Sequence, residues 1–246
     1  MLWTMVERAR NFEQDSVLPP PAARDTGAAP RALKQASRVA AIVLAAGMAT
    51  RLGGRSKPLL QVDGVPLIRH LVRALADAGV SQVAVVTGHR AEEIEAVLVD
   101  CPVALVRNRG YAAGQLSSLR AGLAALPRDL DGILVALGDQ PLLTSADLKA
   151  LLAAFARRGD ADIVRPRAGD RLGNPIVMTS DIREAVTAGP PDSGVRYWMA
   201  HHPERVTHFD TDCEHYFIDI DTLDDLQLVR QRAGRDLALP QGAQDA

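Results

Sequence analysis

The sequence predicts an α/β fold: a mostly parallel sheet with helices on both faces, in three layers. Three observations carry this. The runs that open at Val39, Gln82, Val103 and Gly132 are short and apolar, as strands covered on both faces are. Between them lie segments whose apolar residues recur at helical spacing, and such alternation favours parallel pairing through crossover helices. Glycines and a carboxylate close two of these strands, at the end of an open sheet where ligands bind.

The elements follow in order. Residues 1–37 are rich in Pro, Ala and charge, with Pro19-Pro20-Pro21 at their centre, and are expected to form a mobile extension. Its first residues, Leu2, Trp3, Met5 and Val6, supply the apolar content for a short docking helix. Val39 opens a strand that empties into a Gly-rich loop carrying Arg51, Arg55 and Lys57. The backbone N–H groups of such a loop can face an anion while the cations add positive charge, so the stretch reads as a phosphate cradle. Its glycines follow neither the Walker nor the G-x-G-x-x-G spacing. Leu59–Asp63 reads as a short extended piece turned by Asp63-Gly64. Pro66 then opens a helix with Leu67, Leu71, Ala74, Leu75 and Ala78 on one face and Gly79 as its stop.

Gln82–Thr87 is the second strand, Ala91–Val99 a helix and Val103–Arg107 the third strand. Gly114 leads through Ser117 and Ser118 into another helix, whose N-cap either hydroxyl could be. Gly132–Leu137 is the next strand, followed by Gly138-Asp139-Gln140-Pro141. Asp139, just past its carboxyl end, is the best metal-ligand candidate, with a turn or cap as the plainer role. A helix is expected over Ser145–Arg157. From Ala161 the pattern changes to short strands around Asp162–Arg165 and Pro175–Met178, joined by a hairpin-like turn at 167–171. In an extended segment, Asp219 and Asp221 share one side while Ile218 and Ile220 face the core. Asp221 or Thr222 could equally cap the helix that follows. Residues 235–246 are expected to be a loose tail.

At 246 residues and 47% apolar, the chain can bury the core of one domain. A formal net charge of −2 gives no global attraction for nucleic acid. Cys101 and Cys213 form no C-x-x-C pair, which fits a reducing compartment. No apolar run is long enough to span a membrane and the N-terminus lacks the order of a signal peptide, so a cytoplasmic protein is expected. The 6 histidines show no zinc-ligand spacing with cysteines and are expected at surfaces or interfaces.

Four separated stretches carry a family resemblance. Leu44-Ala45-Ala46-Gly47, Arg51, Gly53 or Gly54, and Lys57 resemble the L-A-[AG]-G-x-[ST]-x-R-[MFL]-G-x-x-K signature of the MobA-like nucleotidyltransferases. Within these the chain is most similar to the MocA branch, the molybdenum cofactor cytidylyltransferases. Gly114–Gly122 is similar to that family's G-x-S-S-S-L-x-x-G, Gly138-Asp139 to its G-D-x-P, and Asp219–Leu226 to its [DN]-[IV]-[DN]-T-P-E-D-L.

The resemblance implies a Rossmann-like domain of the nucleotide-diphospho-sugar transferase type over 38–234, with a nucleotide half at about 38–145 and an acceptor half at about 146–234. It implies nucleotide binding by Leu44, Ala45, Ala46, Gly47, Arg51, Lys57, Gly114, Ser117 and Ser118, and catalytic roles for Arg51, Lys57 and Asp139. It places Mg²⁺ on Asp139 and Asp221, with Asp219 in support. Gly173, Asn174, Pro175, Asp192 and Arg196 are its acceptor contacts. Asn174 stands where the family has His, Pro191 where it has Gly, and Val195 where it has Ala; these departures bear on the acceptor. Ala46 is the residue associated with CTP rather than GTP. The implied reaction transfers CMP from CTP to the phosphate of molybdopterin and releases pyrophosphate, with a molybdoenzyme as client. A relative that uses GTP or another phosphorylated acceptor, and a non-catalytic accessory protein for a molybdoenzyme, are the other readings.

Overall fold

Strands and helices are numbered in chain order. The chain is seen in a computed structural model that describes residues 38–48, 56–188, 194–233 and 237–238. The extension expected over 1–37, the arginines at 51 and 55, and Asp192 lie outside these.

The first strand, β1 (Val39–Ala45), is the axis of the main sheet because both of its faces are apolar: Ala41 and Val43 point one way, Ala40 and Ile42 the other, and all four are fully buried. It pairs in parallel with β4 (Val83–Thr87) on one side and β6 (Gly132–Leu137) on the other, and β5 (Ala104–Arg107) extends the parallel set beyond β4. Past β6 come β9 (Ile176–Thr179), β7 (Ile163–Ala168) and β10 (Val206–Asp210), giving the order β10-β7-β9-β6-β1-β4-β5. In this path only β9 runs against its neighbours, pairing Val135 with Ile176 on one flank and Val164 with Val177 on the other. The sheet is therefore mostly parallel, as expected.

Two details differ from expectation. The turn at Gly169, in the left-handed region at φ +58°, joins β7 to the short β8 (Arg171–Leu172), and β9 returns along β7 only after the Gly173-Asn174-Pro175 segment. The edge strand β10 was not anticipated, because its half-buried residues alternate too weakly to announce a strand.

Helices α1 (Leu67–Asp77), α2 (Ala91–Ala96) and α4 (Ser145–Ala156) cover one face; α3 (Gln115–Ala125) and α5 (Gly194–His201) cover the other. That arrangement gives three layers. Phe155 of α4 is fully buried, and a Cβ on Gly132 would come within 2.5 Å of its ring, so the glycine lets the helix close on the start of β6. Thr144 and Asp147 form a reciprocal capping box at the N-terminus of α4.

A second, small sheet lies beside the main one. Here β2 (Gln61–Val62) and β3 (Val65–Pro66) form a hairpin through Asp63 at φ 51° and Gly64 at φ 78°, the left-handed pair that a two-residue turn needs. Leu237 and Ala238 add β11 to it, with Leu237 fully buried beside Ile220, Leu226 and Val229. The expectation of a loose tail over 235–246 fails at these two residues because Leu237 supplies apolar area to that cluster. Among the described residues no helix is long and apolar enough to cross a membrane.

Candidate active site

The carboxyl ends of β1 and β6 approach one another closely. A Cβ on Gly138 would meet Pro58 Cγ at 3.1 Å and the Leu44 carbonyl at 3.2 Å, so only glycine leaves this junction undisturbed. Asp139 follows at once. Its backbone carbonyl accepts from Ile220 N–H at 3.2 Å, which draws the 218–221 segment to the end of β6. Ile220 is buried there, and the period of two turns Asp219 and Asp221 the other way. The capping role left open for Asp221 falls to Thr222, which exchanges hydrogen bonds with Asp225 at the start of α6 (Leu223–Ala233).

Lys57 completes the group from the single 3₁₀ turn Lys57–Leu59. Its Nζ lies 3.1 Å from Asp139 Oδ2 and also donates to Asp221 Oδ1. One oxygen each of Asp139, Asp219 and Asp221 fall within 4.8 Å of one another. Among the described residues, three carboxylates and one ammonium meet here. Burial, with Asp219 adding repulsion, lifts the Asp139 carboxyl above its ordinary range even though Lys57 pulls it down. Burial alone would lower the lysine, but Asp221 and Asp139 together hold it above its usual value and hence cationic. Asp139 Oδ1 is buried and has no hydrogen-bond partner among the described residues. A set of three carboxylates that includes a buried oxygen without a hydrogen-bond partner among the described residues fits a hard divalent cation.

The carboxylates open on a cleft of about 490 Å³, bounded by Ala46, Gly47, Lys57, Gly114, Ser118 and Asp139 among others. Leu44, Ala45 and Asp221 also border it. A Cβ on Gly47 would meet nothing within 4 Å. Across the cleft, α3 begins after Gly114 at φ +97°, which is itself the N-cap. Neither serine caps the helix. Ser117 Oγ donates instead to the Gly114 carbonyl at 2.8 Å, and Asn108 Nδ2 donates to Ser117 Oγ at 2.9 Å and Ser118 Oγ at 3.0 Å. Ser118 borders the cleft; Ser117 is spent on the turn.

The candidate acceptor segment lies alongside. Gln140, next to Asp139 and buried, donates from Nε2 to the Asn174 carbonyl at 2.8 Å, and the Asn174–Pro175 peptide is cis. Gly173 packs so tightly that a Cβ would lie 2.7 Å from the Tyr216 carbonyl. Arg165 Nε donates to the Gly173 carbonyl at 3.0 Å. Burial and the nearby Arg196 guanidinium both lower the Arg165 pKa, and neither arginine has an ion-pair partner among the described residues. Gly173, Asn174, Pro175 and Arg196 are not among the residues that line the cleft. Asn108, Gln140 and Arg165 escaped sequence reasoning. Asn108 follows the end of β5, the same kind of position that Asp139 takes after β6.

Residues 41–206 match the family described as MobA-like NTP transferase domain. The chain belongs to that family. Relatives of the chain include the Bifunctional protein GlmU of Sinorhizobium medicae (strain WSM419), 31% identical over 217 residues, which are 81% of this chain and 46% of that protein. The chain spans about half the length, or less, of the curated relatives it matches. Among solved structures, a nucleotidyl transferase from Methanothermobacter thermautotroptrophicus (Mth528) superposes with a TM-score of 0.68 at 27% identity, covering 79% of this chain and 96% of its own. Rv0371c from Mycobacterium tuberculosis H37Rv gives 0.67 at 27% identity, with 80% and 100% coverage. A further structure of Rv0371c, a complex with manganese, shares the fold at a TM-score of 0.62 and 24% identity, with 80% and 100% coverage.

Proposed function

We propose that this NTP transferase domain moves a nucleotidyl group from a nucleoside triphosphate to a phosphorylated acceptor, and that the pair is CTP and molybdopterin. The observation that carries the reading is the meeting of Lys57 with Asp139, Asp219 and Asp221 at the edge of a glycine-bordered cleft.

The chemistry follows from charge. An acceptor phosphate oxygen attacks the α-phosphorus, the new P–O bond joins CMP to the acceptor, and the bond to pyrophosphate breaks. Neither step needs a protein nucleophile, so the protein's part is positioning and electrostatics. The backbone at Ala46–Met48 and the space over Gly47 receive the triphosphate. Lys57, cationic throughout the neutral range, meets the charge that gathers on departing pyrophosphate, and Arg51 joins it. Asp139 and Asp221, with Asp219, hold Mg²⁺, which when bound neutralises phosphate oxygens. The manganese complex of Rv0371c supports a divalent cation in a relative of the same fold. Asn108 fixes Ser118 against the ribose and base. Asn174, Arg165 and Arg196 receive the acceptor phosphate, the two arginines having no ion-pair partner among the described residues. Asp192 is proposed to act with them. Ala46 supports CTP over GTP.

A second acceptor class is favoured by one observation: Asn174, Pro191 and Val195 all depart from the residues usual in molybdopterin-specific relatives. Mass spectrometry of the product separates the two. With CTP and molybdopterin the proposal expects a species heavier than molybdopterin by one CMP unit. Transfer only to other phosphorylated acceptors would replace the molybdopterin assignment and leave nucleotidyl transfer standing.

A further inference from the structure

Away from the cleft, three side chains of different chemistry converge where the first turn of α4 meets the segment 213–217. Cys213 Sγ lies 3.4 Å from Asp147 Oδ1, and His215 Nδ1 lies 2.8 Å from Asp147 Oδ2. One ligating atom from each residue falls within 4.8 Å of the other two, and all three residues are partly open to solvent. The capping box accounts for only half of the Asp147 carboxylate. Oδ2 accepts from Thr144 N–H at 2.9 Å, from Thr144 Oγ1–H at 2.7 Å and from His215. Among the described residues Oδ1 receives only the Cys213 thiol, a weak donor. Capping gives no reason for a cysteine and a histidine two residues apart to turn toward the same carboxylate.

A thiol, an imidazole and a carboxylate with one unspent oxygen form a donor set of mixed hardness. Such a set favours a borderline-soft cation of the zinc class, whereas Mg²⁺ prefers oxygen alone. We propose that Asp147, Cys213 and His215 form a second metal site, specific for a thiophilic divalent cation and separate from the carboxylate group at Asp139.

In this site Oδ1, the thiolate sulfur and one imidazole nitrogen are the protein ligands. Thr144 holds Oδ2 and so fixes the carboxylate from behind. The thiol proton passes to solvent as the cation binds, and the imidazole carries its remaining proton on the nitrogen that faces away. The site clamps 213–217 onto α4. That segment also accepts Asn174 N–H on the Tyr216 carbonyl and runs directly into Asp219 and Asp221, so the clamp steadies the backbone at Asn174 and the approach to the two carboxylates. The C-x-H pair carries no metal-site signal in the sequence, because its third ligand lies 66 residues from Cys213.

The test uses the full chain titrated with Co²⁺, whose bonds to thiolate give an intense near-ultraviolet charge-transfer band. The expected result is a one-to-one band that Zn²⁺ displaces and Mg²⁺ does not. The band persists in Asp221→Asn and Cys101→Ser and is lost in Cys213→Ser. His215→Ala, with far-ultraviolet circular dichroism to show that it folds, provides an independent variant and weakens Co²⁺ binding by about tenfold or more, as loss of even a supporting group does at such sites. Zn²⁺ also raises the melting temperature of the wild type and not of Cys213→Ser. The proposal is overturned by the absence of any thiolate band, by a band that survives Cys213→Ser, or by one that disappears with Cys101→Ser or Asp221→Asn.

Discussion

Lys57 is the residue on which two charges of the site converge, since its ammonium touches both Asp139 and Asp221. Removing it leaves three carboxylates facing one another, and removing either aspartate leaves the lysine its other carboxylate contact while weakening the divalent-cation set. Asp139→Asn and Asp221→Asn each keep the side-chain volume and remove the charge. Each is expected to lower kcat for pyrophosphate release by about 10²- to 10³-fold, the scale seen when one group that stabilises transition-state charge is lost. Unchanged circular dichroism would separate this from unfolding. Asp139 and Asp221 were legible in the sequence because each follows an apolar strand-like run and matches a family motif. Asn108 and Gln140 were not, because each acts through a hydrogen bond to a partner elsewhere in the sequence, 9 and 34 residues on, and an amide in a loop looks the same whether it has that partner or not.

At the scale of elements, the site depends on how closely backbones approach. Phe155 fills the space beneath Gly132, with the Arg158 guanidinium 4.0 Å above its ring. Phe155→Ala is expected to cost about 3–5 kcal/mol of stability in denaturant unfolding, from lost burial and the cavity left behind. Thr144→Ala removes one half of the α4 capping box and costs about 1 kcal/mol. A loss of both sizes in the same unfolding assay would tie α4 to the global transition. The parallel core was readable because β1, β4 and β6 are continuous apolar runs. The strands past β6 were harder: β10 is a half-buried edge, and the turn expected at 167–171 leads β7 first into the short β8 rather than directly into β9. Leu237 shows the same limit, since one buried leucine in a polar stretch carries no periodic signal.

For the whole molecule, cross-links at the surface join separate elements. Arg69 of α1 grips Asp100 with both ends of its guanidinium and also donates to the Val97 carbonyl at 2.7 Å. The arginine holds the Asp100 carboxyl down at about 2. Since the folded value lies below that of the unfolded chain, about 4, the pair stabilises the fold above that pH. The contribution is lost as pH falls toward about 2. Both groups are well exposed, so the effect is small and salt-sensitive. Asp100→Asn should therefore flatten the fall in melting temperature across that acid window, most visibly at low ionic strength. The same fold-level logic explains what was legible of function: a parallel sheet delivers the ends of β1 and β6 to one place, so motifs more than eighty residues apart in sequence meet in one cleft.

Pyrophosphate release from CTP, GTP, ATP and UTP, each with molybdopterin and with or without Mg²⁺, tests the central claim most directly. The account predicts release from CTP alone, dependent on both acceptor and metal, and nearly absent in Asp139→Asn. Release that persists without a divalent cation, or that Asp139→Asn leaves undiminished, would contradict it.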